Sequence, residues 1–176
     1  MIYWLFGLSG AGKSTIANEL VEQLMLRNFV PDHRMNVPPR ILDGDEMRNG
    51  LCSGLGLSEK DREENIRRIA HVTKIVSEYT DVIVACMTPT KRTRNIAKEI
   101  LCGECDFKMI HVWCPEDTLI ERDPKGLYRC LGTDAMFSCW EKPAILDITC
   151  MVNTERLSIA ECAVSILDHE QSLNPR

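Results

Sequence analysis

Gly7-Leu8-Ser9-Gly10-Ala11-Gly12-Lys13-Ser14 has the form G-x-x-x-x-G-K-[ST], and what flanks it decides the fold. On one side Met1 to Phe6 is a short apolar run ended by Gly7. On the other, apolar residues return at helical spacing through Ile16, Ala17, Leu20, Val21 and Leu24. The order strand, glycine loop, helix is the context in which this spacing binds phosphate. Glycines let the backbone wrap so that its N–H groups point at phosphate oxygens, and the helix N-terminus adds partial positive charge. Lys13 neutralises charge between the β- and γ-phosphates, and Ser14 offers a hydroxyl to Mg²⁺. A glycine turn that merely joins two elements has no need of Lys13 and Ser14 in register. ATP with Mg²⁺ is therefore the expected cofactor pair, held by Gly7, Ser9, Gly10, Ala11, Gly12, Lys13, Ser14 and Thr15.

Outward from this loop the chain alternates strands and helices. Pro31 to Pro39 reads as a connection, Arg40 to Asp43 as a second strand, and Asp81 to Met87 and Phe107 to Trp113 as apolar strands covered on both faces. Ile145 to Val152 is a weaker strand. A helix begins after the capping residues Ser58-Glu59-Lys60-Asp61 and runs to about Glu78, with Ile66, Ile69, Ala70, Thr73 and Val76 inward. Further helices fit at Lys91 to Leu101, Glu116 to Arg122 and Thr154 to His169, before a polar tail at 171–176. The expected fold is α/β: a three-layer sandwich of the P-loop NTPase type, with a mostly parallel sheet of about five strands. The length suits a single domain over 1–176.

With 44% apolar and 27% charged residues the composition excludes disorder for most of the chain. A net charge of -5 and a pI near 5.4 argue against general nucleic-acid or membrane binding. Met1 to Phe6 is too short for a signal or membrane segment, and nine cysteines, an odd number, suit a reduced cytoplasmic chain. Cys102 and Cys105 form the one close pair, to which Cys114 and His111 add zinc ligands only at loose spacing; the thiols read mainly as core filler.

A nucleotide site does not say what the nucleotide is for. Asp43-Gly44-Asp45 closes the second strand at the carboxyl edge of a parallel sheet, where ligands of such folds bind. Asp45 is positioned to hold a metal-bound water or accept a hydroxyl proton, with Asp43 orienting it; the alternative is an Asp-Gly turn capping the next helix. Arg62, Asn65, Ile66 and Ile69 share a helix face that begins polar and turns apolar, as a cleft wall would. Arg62 then binds an acceptor phosphate or sulfate, or makes an exposed salt bridge to Glu59 or Glu63. Arg122-Asp123-Pro124-Lys125-Gly126-Leu127-Tyr128-Arg129 reads as a mobile basic lid, spanning about 122–140, that closes over the transferring group. Lys91, Arg92 and Arg94 face either the cleft or solvent.

Together these pieces resemble the adenylylsulfate kinase (APS kinase) family. The matching blocks are Gly7 to Thr15, Leu42 to Asp45 with Arg48, Gly50 and Leu51, Leu55 to Ser58, Asp61 to Arg68, and Arg122 to Tyr128. The resemblance implies transfer of the ATP γ-phosphate to the 3′-hydroxyl of adenosine 5′-phosphosulfate, an enzyme of sulfate assimilation with Lys13 and Asp45 catalytic. It implies metal binding by Ser14 and Asp45, and acceptor binding by Asp43, Arg48, Leu57, Arg62, Asn65, Thr88 and Lys125. Two positions depart from the family pattern. Leu57 stands where a phenylalanine stacks on the acceptor adenine, and Leu131 to Ser138 replaces a segment carrying a second aromatic, with Phe137 or Trp140 as substitutes out of register. A related kinase acting on another nucleotide, such as cytidine diphosphoramidate, and a non-catalytic ATP-binding module stay open as alternatives. The expected partner is a small-molecule nucleotide acceptor, without nucleic acid or membrane, and a homodimer is left open.

Overall fold

The computed structural model describes residues 1–27, 37–103 and 106–173. Strand β1 (Ile2–Phe6) buries all five of its side chains, which requires a sheet covered on both faces. Beside it run β2 (Arg40–Asp43), β3 (Val82–Ala85), β4 (Phe107–Trp113) and β5 (Cys150–Asn153). They form a five-stranded sheet in the order β2-β3-β1-β4-β5. Every pairing is parallel, with Ile2 opposite Val82 on one side and Phe107 on the other.

Strand alternation sorts the core into two halves. Tyr3 and Leu5 pack with Ile83 and Val112 against helices α1 (Lys13–Arg27) and α8 (Ile159–Leu173), through Ile16, Leu20, Cys162 and Ile166. Ile2, Trp4 and Phe6 pack with Val82 and Val84 against α3 (Glu59–Ser77) and α4 (Lys91–Leu101), through Ile66, Ile69, Ala97 and Leu101. Short helices α2 (Gly44–Asn49), α5 (Glu116–Arg122), α6 (Leu127–Leu131) and α7 (Thr133–Ser138) lie among the loops. This is the three-layer α/β arrangement expected.

Near the C-terminal end the expected boundaries shift. Ile145–Asp147 is a single 3₁₀ turn rather than the start of a strand, with Ile145 86% and Leu146 96% exposed; β5 begins only at Cys150. The last helix starts at Ile159 instead of Thr154, because Ser158 caps it: the Ser158 hydroxyl accepts from Glu161 N at 3.3 Å. It continues through residues 171–173, which the sequence reads as tail. Part of the Pro31 to Pro39 connection, namely 31–36, and Cys105 lie outside the described residues. Cys52, Cys86, Cys114 and Cys162 are buried, whereas Cys102 and Cys130 are exposed. Among the described residues no helix is long and apolar enough to cross a membrane.

A column of rings ties the end of the 122–140 segment to the sheet. Trp140 stacks on His111 at 5.6 Å, His111 on Phe6 at 5.1 Å, and the Arg94 guanidinium lies 5.6 Å from the Phe6 centroid. Burial, assisted by the Arg94 charge, pulls the His111 imidazole down to about 4, so it is neutral in the column at neutral pH.

Candidate active site

Parallel strands deliver their carboxyl ends to one edge. There β1 leads into the glycine loop, β2 into Asp43-Gly44-Asp45, and β3 into Cys86-Met87. They enclose a cavity of about 660 Å³, lined also by Leu57, Arg62 and Asn65 around the start of α3 and by Lys125, Leu131 and Met136 from the 122–140 segment.

Within the loop, Gly7 is required by close approach: a Cβ there would sit 2.2 Å from Val112 O. Gly12 adopts φ +95°, open to glycine at no steric cost. Ser9, Gly10, Gly12, Lys13, Ser14 and Thr15 line the cavity, whereas Gly7 and Ala11 do not. Gly7 is pressed against β4, and Ala11 is 1% exposed with its N–H turned back to Leu8 O at 3.3 Å. Both shape the loop from behind without lining the cavity.

The donor chemistry fits a bound nucleotide. The Ser9 hydroxyl is buried without a hydrogen-bond partner, and the Lys13 ammonium donates to Leu8 O at 2.8 Å beside the cavity. Burial lowers the Lys13 pKa to about 8, against the opposing pull of Asp45 and Asp43. A phosphate beside it would restore the charged form. ADP binding near pH 8.5 is therefore expected to take up a substantial fraction of a proton, falling towards zero near pH 6.5, where Lys13 is already charged. Calorimetry in buffers of different ionisation heat measures this, and equal uptake at both pH values counts against it. In the ligand-free protein the sign is fixed by the unfolded chain, which binds more protons between about 8 and 10.5; Lys13's contribution to stability rises with pH across that window.

Hard oxygen donors stand beside the lysine. Ser14 Oγ donates to Asp43 Oδ2 at 2.6 Å, and Asp43 Oδ1 accepts the Asp45 N–H at 2.9 Å as the cap of α2. Asp45 carries an ion pair with Lys125 across the cavity mouth. Among the described residues no cluster of three or more His, Cys, Asp or Glu side chains is disposed to hold a metal. One hydroxyl with one or two carboxylates suits Mg²⁺, which takes its remaining ligands from phosphates and water.

Arg48 and Arg62 shape another part of the wall. Arg48 Nη1 reaches Leu55 O at 3.2 Å and Gly56 O at 3.1 Å, and Arg62 Nε reaches Leu57 O at 2.9 Å rather than Glu59 or Glu63. Glu63 lies instead 3.7 Å from Arg92. Each guanidinium spends one or two of its five N–H donors on the loop that presents Leu57. Asn65 is 5% exposed, lines the cavity, and its Oδ1 has no partner.

Other expected site residues fall elsewhere. Thr88 is fully buried outside the cavity lining, where its hydroxyl accepts from Trp4 Nε1 at 2.9 Å. Of the basic residues at the start of α4, none lines the cavity; Arg94 turns into the core and donates to Pro89 O at 3.0 Å. Arg129 is 81% exposed beside Asp123. The substitute aromatics also point away: Phe137 packs on Tyr128 at 5.6 Å, and Trp140 belongs to the ring column.

Sequence reasoning missed two supports. Asp123, 5% exposed, accepts the N–H groups of Tyr128 and Arg129 at 3.3 and 3.2 Å, closing the turn between α5 and α6. Thr154 follows β5 and donates to Ala11 O at 3.0 Å. For Asp123 the Asp-Pro pair was a usable turn signal; a lone threonine beyond a weak strand offered none.

The family model for adenylylsulphate kinase matches residues 1–136. The chain belongs to the adenylylsulfate kinase family. Relatives in that family include an adenylyl-sulfate kinase of Bacillus pumilus, 38% identical over 96% of this chain and 83% of its own length. Another, from Bacillus licheniformis, is 43% identical over 73% of this chain; the matched stretch spans only 61% of that protein. Among solved structures, the Mycobacterium tuberculosis APS kinase CysC in complex with AMPPNP and APS superimposes with a TM-score of 0.83 at 28% identity, covering 97% of this chain and 96% of that one. Against the adenylylsulfate kinase pattern, the cavity departs where the sequence said it would: among the described residues no Phe, Tyr or Trp lines it, and Leu57, Leu131 and Met136 occupy the apolar wall.

Proposed function

We propose that the chain transfers the γ-phosphate of ATP to the 3′-hydroxyl of adenosine 5′-phosphosulfate, giving 3′-phosphoadenosine 5′-phosphosulfate and ADP. The observation that carries this reading is a single cavity shared by two kinds of wall. One is the phosphate loop with Lys13; the other holds Arg48, Arg62 and the unpartnered Asn65 Oδ1, and Asp45 lines the same cavity. Family membership supplies the acceptor.

In this mechanism the acceptor 3′-oxygen attacks the γ-phosphorus in line, the bond from phosphorus to the bridging oxygen of ADP breaks, and the hydroxyl proton passes to the Asp45 carboxylate. Lys13 and Lys125 stabilise the charge spread over the transferring group, and the apolar wall keeps water out. Ser14, Asp43 and Asp45 would hold Mg²⁺, which when bound neutralises phosphate charge. Arg48 and Arg62 bind the acceptor's phosphosulfate through the N–H groups left free by the loop. The reading places the protein in sulfate assimilation, in the cytoplasm. A homodimer is compatible with it and is read out by light scattering.

A second reading is favoured by the aliphatic wall of Leu57, Leu131 and Met136, with no aromatic ring among the described lining residues: a related kinase whose acceptor is a cytidine nucleotide. Losing a stack worth about 0.5–1.5 kcal/mol beyond area burial weakens the preference for adenine. The purified chain with ATP·Mg²⁺ and, separately, adenosine 5′-phosphosulfate, cytidine diphosphoramidate, shikimate and gluconate decides among these, with product masses read. A product 80 Da heavier than adenosine 5′-phosphosulfate, the mass a phosphoryl group adds, is expected. A cytidine product alone overturns that acceptor, and ADP release with none of the four leaves a nucleotide-binding module.

A further inference from the structure

Three successive carbonyls of the phosphate loop meet donors from distant parts of the chain. Ser9 O accepts from the Tyr128 hydroxyl at 2.9 Å, Ala11 O accepts from Thr154 Oγ1 at 3.0 Å, and Gly10 O lies 3.4 Å from Arg122 Nη1. Arg122 also binds Thr154, donating to its Oγ1 and its carbonyl at 3.0 Å each. Tyr128 and Thr154 do not themselves line the cavity.

In a trans peptide the C=O and the following N–H point in opposite directions, and the described chain has no cis bond. Drawing Ser9 C=O toward Tyr128 therefore turns Gly10 N–H the other way, and drawing Ala11 C=O toward Thr154 does the same for Gly12 N–H. The intervening Ala11 N–H goes to Leu8 O at 3.3 Å. This alternation matches the lining: Gly10 and Gly12 face the cavity and Ala11 does not.

We propose that Tyr128 and Thr154 are positioning residues for phosphate binding, each holding one loop carbonyl so that the N–H of the next glycine, Gly10 or Gly12, faces the phosphates. Because Tyr128 belongs to the 122–140 segment, the placement of that segment sets the orientation of a loop peptide. The 122–140 segment and the phosphate site are thus coupled through the Tyr128 hydroxyl, with Arg122 as a second contact. The proposal rests on reading the loop as a phosphate site, and the test separates the two.

Tyr128→Phe keeps the ring against Phe137, and Thr154→Val keeps the shape beside Gly12. The first removes only the donor; the second removes the donor and the oxygen that accepts from Arg122, and Thr154→Ser keeps both. Calorimetry with ADP, with inorganic tripolyphosphate and with adenosine is compared across wild type, both variants and Thr154→Ser. Losing one aligned hydrogen bond is expected to weaken ADP and tripolyphosphate about three- to tenfold in each donor-less variant. Adenosine, which has no phosphate, is expected to bind unchanged, and Thr154→Ser to behave as wild type. Wild-type affinity for ADP in Tyr128→Phe and Thr154→Val overturns the proposal. So does an equal loss for adenosine, or a loss in Thr154→Ser as large as in Thr154→Val. If the wild type itself binds neither ADP nor tripolyphosphate, the phosphate-site reading fails and takes this proposal with it.

Discussion

Lys13→Met is expected to lower kcat/KM for ATP by about three orders of magnitude, the scale for removing a charge-stabilising donor from a preorganised site. The lysine stands at the start of α1, half-buried beside the cavity, with its ammonium held by Leu8 O at 2.8 Å. Without a phosphate its ammonium is a partly desolvated cation, which is why its pKa falls to about 8. Methionine fills similar volume without the charge, so the ligand-free variant is expected to melt no lower than wild type. Lost activity with undiminished stability is the signature of a residue kept for its ligand. A variant that turns over at the wild-type rate would remove Lys13 from the mechanism; one that simply unfolds would make it structural.

Asp45→Asn is expected to lower kcat by about 10²- to 10⁴-fold, the usual contribution of a positioned general base, while ADP affinity measured without Mg²⁺ changes little. Asp45 sits just inside α2, its N–H fixed by the Asp43 cap. Its ion pair with Lys125 joins two half-exposed side chains, at 58% and 47% exposure, so losing it costs the fold less than about 1 kcal/mol. The amide keeps size and hydrogen-bonding reach but cannot accept the hydroxyl proton. Steady-state kinetics at saturating ATP, paired with ADP titrations, separates these effects, and full turnover in the variant would assign the proton to another group.

The central architecture was legible because its signals are local. The apolar run of β1, the glycine spacing and the helical return from Ile16 to Leu24 each belong to a contiguous stretch, and parallel pairing follows from the intervening helices. Legibility failed where a contact joins distant segments. Nothing near Thr88 announces that its hydroxyl pairs with Trp4, 84 residues earlier, and Arg94 reads as a surface cation until the ring of Phe6 is found beside it. The late boundary at Ile159 had a usable signal in Ser158-Ile159-Ala160-Glu161, the same capping spacing read correctly at Ser58. The apolar pair Ile145 and Leu146 misled because exposed hydrophobics resemble a strand in sequence alone. In the site, Arg48, Arg62, Asn65 and Leu57 converge on the cavity because they flank one helix start, whereas Thr154 is brought to the loop from 143 residues away.

The aliphatic lining of the cavity bears on how this protein can be observed and inhibited. Its three tryptophans, Trp4, Trp113 and Trp140, all lie off the cavity wall, so occupancy has no intrinsic fluorophore in direct contact to report it. Planar aromatic inhibitors built to slide between two rings find thioether and branched alkyl groups instead. Compounds shaped to fill the space beside Leu57, Leu131 and Met136 would engage this chain and be crowded out of a relative that keeps its aromatic pair.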